Sequence, residues 1–257
     1  MEQTKLTVLD DVLYIAMSVG YNLLRCGAEI QRVEDTISRI CASYDGVHGS
    51  HVFAIGSNIT VTVYNTAGQS RTETWRVKGY SYDFDKICML NSLSRRICVC
   101  TPSRAEVEEE IKKIKTSPVY PQYMRIFGYG IISASFAMFF GGNVPAGVVA
   151  FFVGILTCII DILLRRIGGG VFTGIIVCSA VTALISFSVE MRVPYIDGTK
   201  IIIGVLMTLV PGIAITNSMR DFLAKDYLSG FLRLTEALVT ATAIAVGVAA
   251  AIVIMQR

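Results

Sequence analysis

The apolar second half of the chain is interrupted by one stretch, Leu209-Val-Pro-Gly-Ile-Ala-Ile-Thr-Asn-Ser-Met-Arg-Asp-Phe-Leu-Ala-Lys-Asp-Tyr-Leu-Ser-Gly-Phe-Leu-Arg-Leu-Thr-Glu236. It begins within an apolar run that starts near Ile201, so Pro211 and Gly212 are expected to lie within a membrane helix. Proline cannot donate a backbone hydrogen bond and its ring clashes with the preceding turn, while glycine loosens the same turn. Because freed backbone groups in hydrocarbon need a partner, we expect this break to face protein or a water-filled cavity.

Polar and charged side chains follow the break before the next apolar run begins. Transporters often build substrate sites from such groups beside a broken membrane helix. The alternative is a kinked helix followed by a solvated loop, whose arginine and aspartate side chains pair at the lipid headgroups. Under the first interpretation, the candidate substrate-binding residues are Pro211, Gly212, Asn217, Arg220, Asp221, Arg233 and Glu236.

The composition separates this chain from ordinary soluble domains. Its hydrophobic fraction of 53% and mean hydropathy of +0.58 are high, and its charged fraction of 17% is low. The charges crowd the N-terminal half, which predicts a soluble domain at residues 1–120 followed by a membrane domain at residues 121–257. A net charge of +3 is too small to indicate nucleic-acid binding. The 7 cysteines include no Cys-x-x-Cys pair, so reduced thiols are expected rather than disulfides or a zinc site.

The soluble domain is predicted to be α+β. Apolar residues recur at helical spacing from Leu6 to Arg25, and a second helix is expected from Ala28 to about Tyr44. The pattern then changes to period two, which predicts either one long strand or a strand pair over His51–Tyr64, and a returning strand over Arg71–Val77. Two further helices are expected, at Asp83–Cys98 and from Ser103 to about Lys115.

This domain contains no recognisable catalytic pattern. Glu29 and Glu34 are too poorly aligned on a helix to act as a pair. His48 and His51 lack a nearby carboxylate pair for a metal site, and Ser57 is not in a nucleophile elbow. We therefore predict that the protein is not an enzyme and uses no metal and no cofactor. A gate or docking platform for the membrane domain is the simplest interpretation.

The second half is predicted to form five membrane helices. No charged residue lies between Arg125 and Asp161, and one straight helix over these ~35 residues would be about 52 Å long, against roughly 30 Å of hydrocarbon. The chain must therefore fold back, and Gly141–Pro145 supplies the turn. The predicted helices cover about 123–140, 145–164, 171–190, 200–218 and 231–255.

The distribution of basic residues predicts the orientation of these helices. With a cytoplasmic soluble domain, the inner flanks hold Lys112, Lys113, Lys115, Arg125, Arg165, Arg166, Arg220, Lys225 and Arg233. The outer flanks hold only Arg192, Lys200 and Arg257. The positive-inside rule then predicts a multi-pass protein of the plasma or inner membrane, with its N-terminus inside and its C-terminus outside.

Asp161 is a carboxylate within an apolar run, one turn before Arg165 and Arg166. One interpretation is an ion pair with Arg165 near the membrane surface. The other is a binding or proton-coupling role, because carboxylates within membranes are costly.

Several motifs resemble the threonine/serine exporter family. They are Pro211-Gly212, Thr216-Asn217, Arg220-Asp221, Ser229-Gly230, Arg233 and Glu236-Ala237, together with Leu23-Leu24-Arg25-Cys26-Gly27-Ala28-Glu29 and Arg32-Val33-Glu34. The chain is most similar to the small proteins that match the N-terminal half of that family, of the succinate exporter subunit type. The resemblance covers nearly the whole chain. It also marks a cytoplasmic-domain motif, which consists of Gly27, Glu29, Glu34, Ser57 and Asn58.

The resemblance implies a component of a secondary transporter that moves small polar metabolites outward. The substrate would be threonine or serine, or a C4-dicarboxylate such as succinate. Arg220 or Arg233 could pair with its carboxylate, Asn217 and the opened backbone could hydrogen-bond it, and Asp161 or Asp221 could carry a proton.

Longer family members look like two five-helix halves, and this chain is similar to the first. Because an odd number of spans leaves a second unit upside down, an inverted repeat is expected. A smaller, separately encoded membrane protein would then complete the transporter. The other expected partners are the small-molecule substrate and the lipid bilayer. Two other functions stay open: a membrane-anchored enzyme with a hydrolase-like cytoplasmic domain, and a non-catalytic assembly or sensor protein.

Overall fold

The computed structural model describes residues 2–79, 81–117 and 120–256, with side chains from Val8 onward. The chain divides into two compact units. The first consists of Met1–Pro118 and Lys225–Ser229, and the second of Val119–Ala224 and Gly230–Arg257. Lys225–Ser229 therefore groups with the N-terminal unit, although it lies more than a hundred residues further along the chain.

The first unit combines helices with a small sheet. Its elements are α1 (Glu2–Arg25), α2 (Ile30–Ser43), β1 (Gly49–Ile55), β2 (Asn58–Tyr64), β3 (Ser70–Arg76), α3 (Phe84–Cys100) and α4 (Arg104–Thr116). Gly27 separates α1 from α2 with a φ of 83°, in the left-handed region that favours glycine. The amide of Ala28 donates to the carbonyl of Leu23 at 3.0 Å and closes the end of α1.

The three strands form an antiparallel sheet in the order β1-β2-β3. The sequence left open one strand or two over His51–Tyr64, and the structure contains two, joined by a turn at Gly56-Ser57. In the β2–β3 turn, the side chain of Asn65 accepts hydrogen bonds from the backbone of Ala67 and Gln69, both at 3.0 Å. The sheet therefore rests on two local turns, which is why alternation and turn residues could predict its strands.

The core of the first unit is apolar and joins its helices to one face of the sheet. Leu13 and Met17 of α1 pack in one cluster with Ile37 of α2, Val61 of β2 and Ile97 of α3, all at most 1% exposed. This burial supplies the main stabilisation of the unit, because each such side chain contributes about 1.5–3 kcal/mol.

The second unit is helical in its described residues. Its elements are α5 (Gln122–Phe139), α6 (Val144–Arg166), α7 (Val171–Arg192), α8 (Gly198–Leu206), α9 (Gly212–Leu223) and α10 (Tyr227–Met255), the last of which begins within the first unit. Three of these helices, α6, α7 and α10, are long and apolar enough to cross a membrane. α8 and α9 have 9 and 12 residues, so they measure about 14 and 18 Å, short of the roughly 30 Å of a hydrocarbon core.

The predicted helix at about 200–218, with its expected break at Pro211 and Gly212, corresponds to two separate helices in the structure. α8 ends at Leu206 and α9 starts only at Gly212. The predicted loop beyond residue 218 is also mostly helical, since α9 continues to Leu223 and α10 starts at Tyr227. Pro211 prevents α8 from continuing into α9, because it lacks a backbone N–H and its ring clashes with the preceding turn. Asp226 caps the start of α10, since its side chain accepts from the amide of Ser229 at 3.2 Å, and this leaves a short connection between α9 and α10.

Small residues allow α5, α6 and α8 to approach closely. A Cβ atom on Gly204 of α8 would lie 2.6 Å from the backbone nitrogen of Ala137 in α5. Asn143 caps α6 by accepting from the amide of Ala146 at 3.0 Å, and its side-chain amide donates to the carbonyl of Tyr195 at 2.8 Å. The helix α8 is therefore held close against α5, so that a side chain larger than that of glycine would not fit at position 204.

Candidate substrate site

The break between α8 and α9 is a short non-helical segment at Met207–Pro211. The last bonds of α8 tighten, with Leu209 N donating to Leu206 O at 2.8 Å. Pro211 has φ −79° and ψ 55°, outside helical values, and the amide of Gly212 donates to Val210 O at 2.8 Å. No described atom lies within 4 Å of a Cβ built on Gly212, so packing does not demand glycine there.

The polar residues predicted to follow the break lie on α9 and α10 and differ in burial. Asn217 is half-buried, whereas Arg220 on α9 and Glu236 on α10 are exposed. Asp221 is only 4% exposed, although it carries a carboxylate. The buried position of Asp221 requires a partner, because an ionised carboxylate away from water is costly unless it is paired.

That partner is Arg233 of α10. Its Nε lies 3.2 Å from Oδ2 of Asp221, and the two side chains are 12% and 5% exposed, respectively. Gly230 makes the approach possible, because a Cβ there would lie 2.7 Å from the ring of Phe222 and 3.1 Å from the carbonyl of Ser218. A buried ion pair therefore joins α9 and α10, in the segment that the sequence also allowed to be a solvated loop.

Asp161 lies between two arginines. Nε of Arg165 is 2.9 Å from both of its carboxylate oxygens, and Nη2 of Arg125 on α5 is 3.6 Å from Oδ2. The ion pair with Arg165 was one of the two sequence interpretations. The contact with Arg125 could not be read from the sequence, because those residues lie on different helices.

Buried hydroxyl groups on α5, α6 and α7 were also missed by sequence reasoning. Thr157 lies one turn before Asp161 on α6, and its hydroxyl is 3.0 Å from that of Thr182 on α7. The two residues are 1% and 0% exposed, and Ser133 of α5 is 0% exposed. The only sequence indication is that Thr157 and Asp161 share a helix face, at a spacing of four.

The cytoplasmic-domain motif lies at two places in the first unit. Gly27 is in the turn between α1 and α2, and Glu29 is at the N-cap position of α2. Ser57 lies in the β1–β2 turn, and Asn58 begins β2. Glu34 is near that turn, because its Oε1 accepts from the amide of Ala54 on β1 at 2.7 Å. The fold therefore brings Glu34, Ser57 and Asn58 to one end of the hairpin.

The surroundings of Glu34 perturb the ionisation of its carboxyl group. Burial raises the pKa of its carboxyl group, and the nearby carboxylates of Asp226 and Asp35 raise it further. The hydrogen bond from Ala54 acts in the opposite direction, because it favours the charged form. Asp226 belongs to the segment between α9 and α10 that groups with this unit. Among the described residues, no cluster of histidine, cysteine and carboxylate side chains could hold a metal ion.

The three long apolar helices indicate a membrane protein, and polar groups are buried among the helices of its second unit. The chain belongs to the threonine/serine exporter family, since the model of that family, described as "Putative threonine/serine exporter" (ThrE), matches residues 14–255. This match confirms the resemblance seen in the sequence. No curated protein and no solved structure gives a significant match to the chain.

Proposed function

We propose that the chain is one half of a secondary transporter that exports small polar metabolites, either threonine and serine or a C4-dicarboxylate. Family membership supports the transporter class. The break before α9 supports the position of the site, because interrupted membrane helices present backbone groups and polar side chains to a solute. The substrate-binding residues would be Pro211, Gly212, Asn217, Arg220, Asp221, Arg233 and Glu236.

The Asp221–Arg233 pair is the observation that carries this proposal. A zwitterionic amino acid could insert between the two side chains, so that its carboxylate pairs with Arg233 and its ammonium group pairs with Asp221. A dicarboxylate would place a second negative charge near Asp221, which opposes binding at that position. The electroneutral pair therefore favours threonine or serine over succinate as the substrate.

The proposed membrane arrangement has five spans, with α8 and α9 together forming the fourth. The N-terminus and the soluble unit would be cytoplasmic and the C-terminus outside, as the basic residues predict. A smaller membrane protein would provide the inverted second half. Asp161, between Arg125 and Arg165, is the proposed proton-coupling carboxylate.

Export of radiolabelled serine, threonine and succinate tests this proposal, in cells that contain the chain together with its proposed membrane partner. Asn217→Ala and Arg220→Ala should each reduce serine export, because both side chains lie on α9 beyond the break. Arg192→Ala is the matched control, since Arg192 is an exposed arginine at the end of α7. Full serine export by the Asn217 and Arg220 variants at normal protein levels would remove both residues from the site.

A further inference from the structure

A cavity of about 750 Å³ lies in the first unit, between α2 and α3, and its lining residues include none of the proposed substrate-binding residues. It is formed by one face of each helix. Arg32, Thr36 and Arg39 recur at helical spacing on α2, and Asn91, Ser94 and Arg95 do so on α3. The adjacent face of α2 packs in the apolar core through Val33, Ile37 and Ile40. The cavity is therefore built on rigid helices and has a size typical of small-molecule sites.

The floor of the cavity is polar. Thr36, Asn91 and Ser94 are each less than a tenth exposed, which is unusual for such residues outside a site or a hydrogen-bond network. The hydroxyl hydrogen atoms of Thr36 and Ser94 are used within their own helices, since Thr36 donates to Arg32 O at 2.7 Å and Ser94 to Asn91 O at 2.9 Å. The side-chain amide of Asn91 donates to Ile87 O at 2.7 Å. The side-chain oxygen atoms of all three residues can still accept hydrogen bonds from the hydroxyl groups of a ligand.

The rim of the cavity is positive. Arg32, Arg39 and Arg95 line it, with Asp35 as the one carboxylate among the lining residues. Within the described ranges, none of the ion pairs includes these three arginines, whereas other arginines of the same unit have carboxylate partners. Those partnered arginines are Arg71, Arg96 and Arg104. With three arginines against one carboxylate, the lining of the cavity carries a net positive charge.

We propose that this cavity binds a small polyanionic metabolite, with two or more carboxylate or phosphate groups, as a ligand distinct from the transported substrate. Arg32 and Arg39 are seven residues apart on α2, so their backbones are separated by about 10 Å. Their long side chains can converge on one ligand together with Arg95 from the facing helix, and guanidinium groups bind carboxylates and phosphates in bidentate fashion. Hydroxyl groups of the ligand would meet the polar floor.

Thermal unfolding of the purified full chain in a neutral detergent tests the proposal, with pyrophosphate and citrate as probes. Potassium chloride at matched ionic strength is the reference. At least one probe should raise the unfolding midpoint above that reference. Arg39→Gln and Arg95→Gln should each weaken its apparent affinity about tenfold, since each removes charge-assisted hydrogen bonds. Arg76→Gln is the matched control, because Arg76 is exposed on β3 and does not line the cavity.

A gain-of-function variant excludes simple misfolding as the cause of any loss. Asp35→Asn removes the carboxylate from the cavity rim, so it should tighten binding of the same probe severalfold. No stabilisation by either probe, or equal loss in the Arg76 variant, would overturn the proposal. Stabilisation by added phosphatidylglycerol but by neither soluble probe would also overturn it, by identifying a lipid headgroup as the source of the anion.

Discussion

Replacement of Asp221 by asparagine provides a direct test of the buried ion pair between α9 and α10. The variant keeps the shape of the side chain but removes the carboxylate that faces Arg233 at 3.2 Å. Removal of one member of a buried pair costs about 3–5 kcal/mol, and the 12% exposure of the Arg233 side chain points to the lower end, roughly 3 kcal/mol. Arg233→Gln should cost a similar amount, because it leaves the buried carboxylate without that guanidinium.

The double variant separates the charge effect from the effect of changed shape. Asp221→Asn combined with Arg233→Gln contains no buried charge at either position, so its stability should exceed the additive expectation by at least about 1.5 kcal/mol. Unfolding by denaturant in detergent micelles would measure all four proteins. The exposed Glu109–Lys113 pair is the control, and its removal should leave the unfolding transition unchanged.

The same double variant distinguishes a structural pair from a substrate site. If the pair only holds α9 against α10, serine export should recover together with stability. If it binds the zwitterion, the double variant should fold but remain inactive. Strictly additive destabilisation by the two single variants would refute the interpretation of Asp221–Arg233 as a coupled buried pair.

Three further substitutions test packing, ionisation and hydrogen bonding. Gly204→Ala should destabilise the protein by about 1–3 kcal/mol, because the new methyl group would meet the backbone of Ala137. Gly128→Ala is the control and should not, because no described atom outside its own helix lies within 4 Å of that position, and equal unfolding midpoints for the two variants would contradict the reasoning. Burial raises the pKa of the Glu34 carboxyl in the folded protein, so the wild type should lose stability as the pH rises above about 4.5, and Glu34→Gln should become increasingly more stable than the wild type. Parallel curves of unfolding free energy against pH for the two proteins would refute the reasoning. Tyr44→Phe removes a 2.7 Å hydrogen bond to the carbonyl of Pro102 and should cost about 1 kcal/mol of stability. Because burial raises the pKa of Tyr44 to about 12, this cost should be the same at pH 7 and pH 9, and a cost that differs between those pH values would contradict the prediction.

Local patterns in the chain were sufficient to predict most of the secondary structure. The apolar runs of α6, α7 and α10 are bounded by charged or turn-forming residues, so their approximate ends follow from neighbouring positions. The turn at Gly141, with a φ of 90°, and the break at Pro211 depend on the backbone of those residues alone. The boundaries of α9 and α10 were predicted less well, because a polar segment can be helical when a contact between two helices stabilises it, as the Asp221–Arg233 ion pair does here.

The sequence by itself determined the class of protein, the helix break at Pro211 and the family, because hydropathy and short motifs are properties of neighbouring residues. Only the tertiary structure decided which polar groups meet. The packing of separate elements brings together Asp161 and Arg125, Glu34 and the amide of Ala54, and the two cavity arginines of α2 and Arg95 of α3. The physical reason is that helix and strand patterns specify which face of an element is buried, but the residue opposite that face depends on how the elements pack.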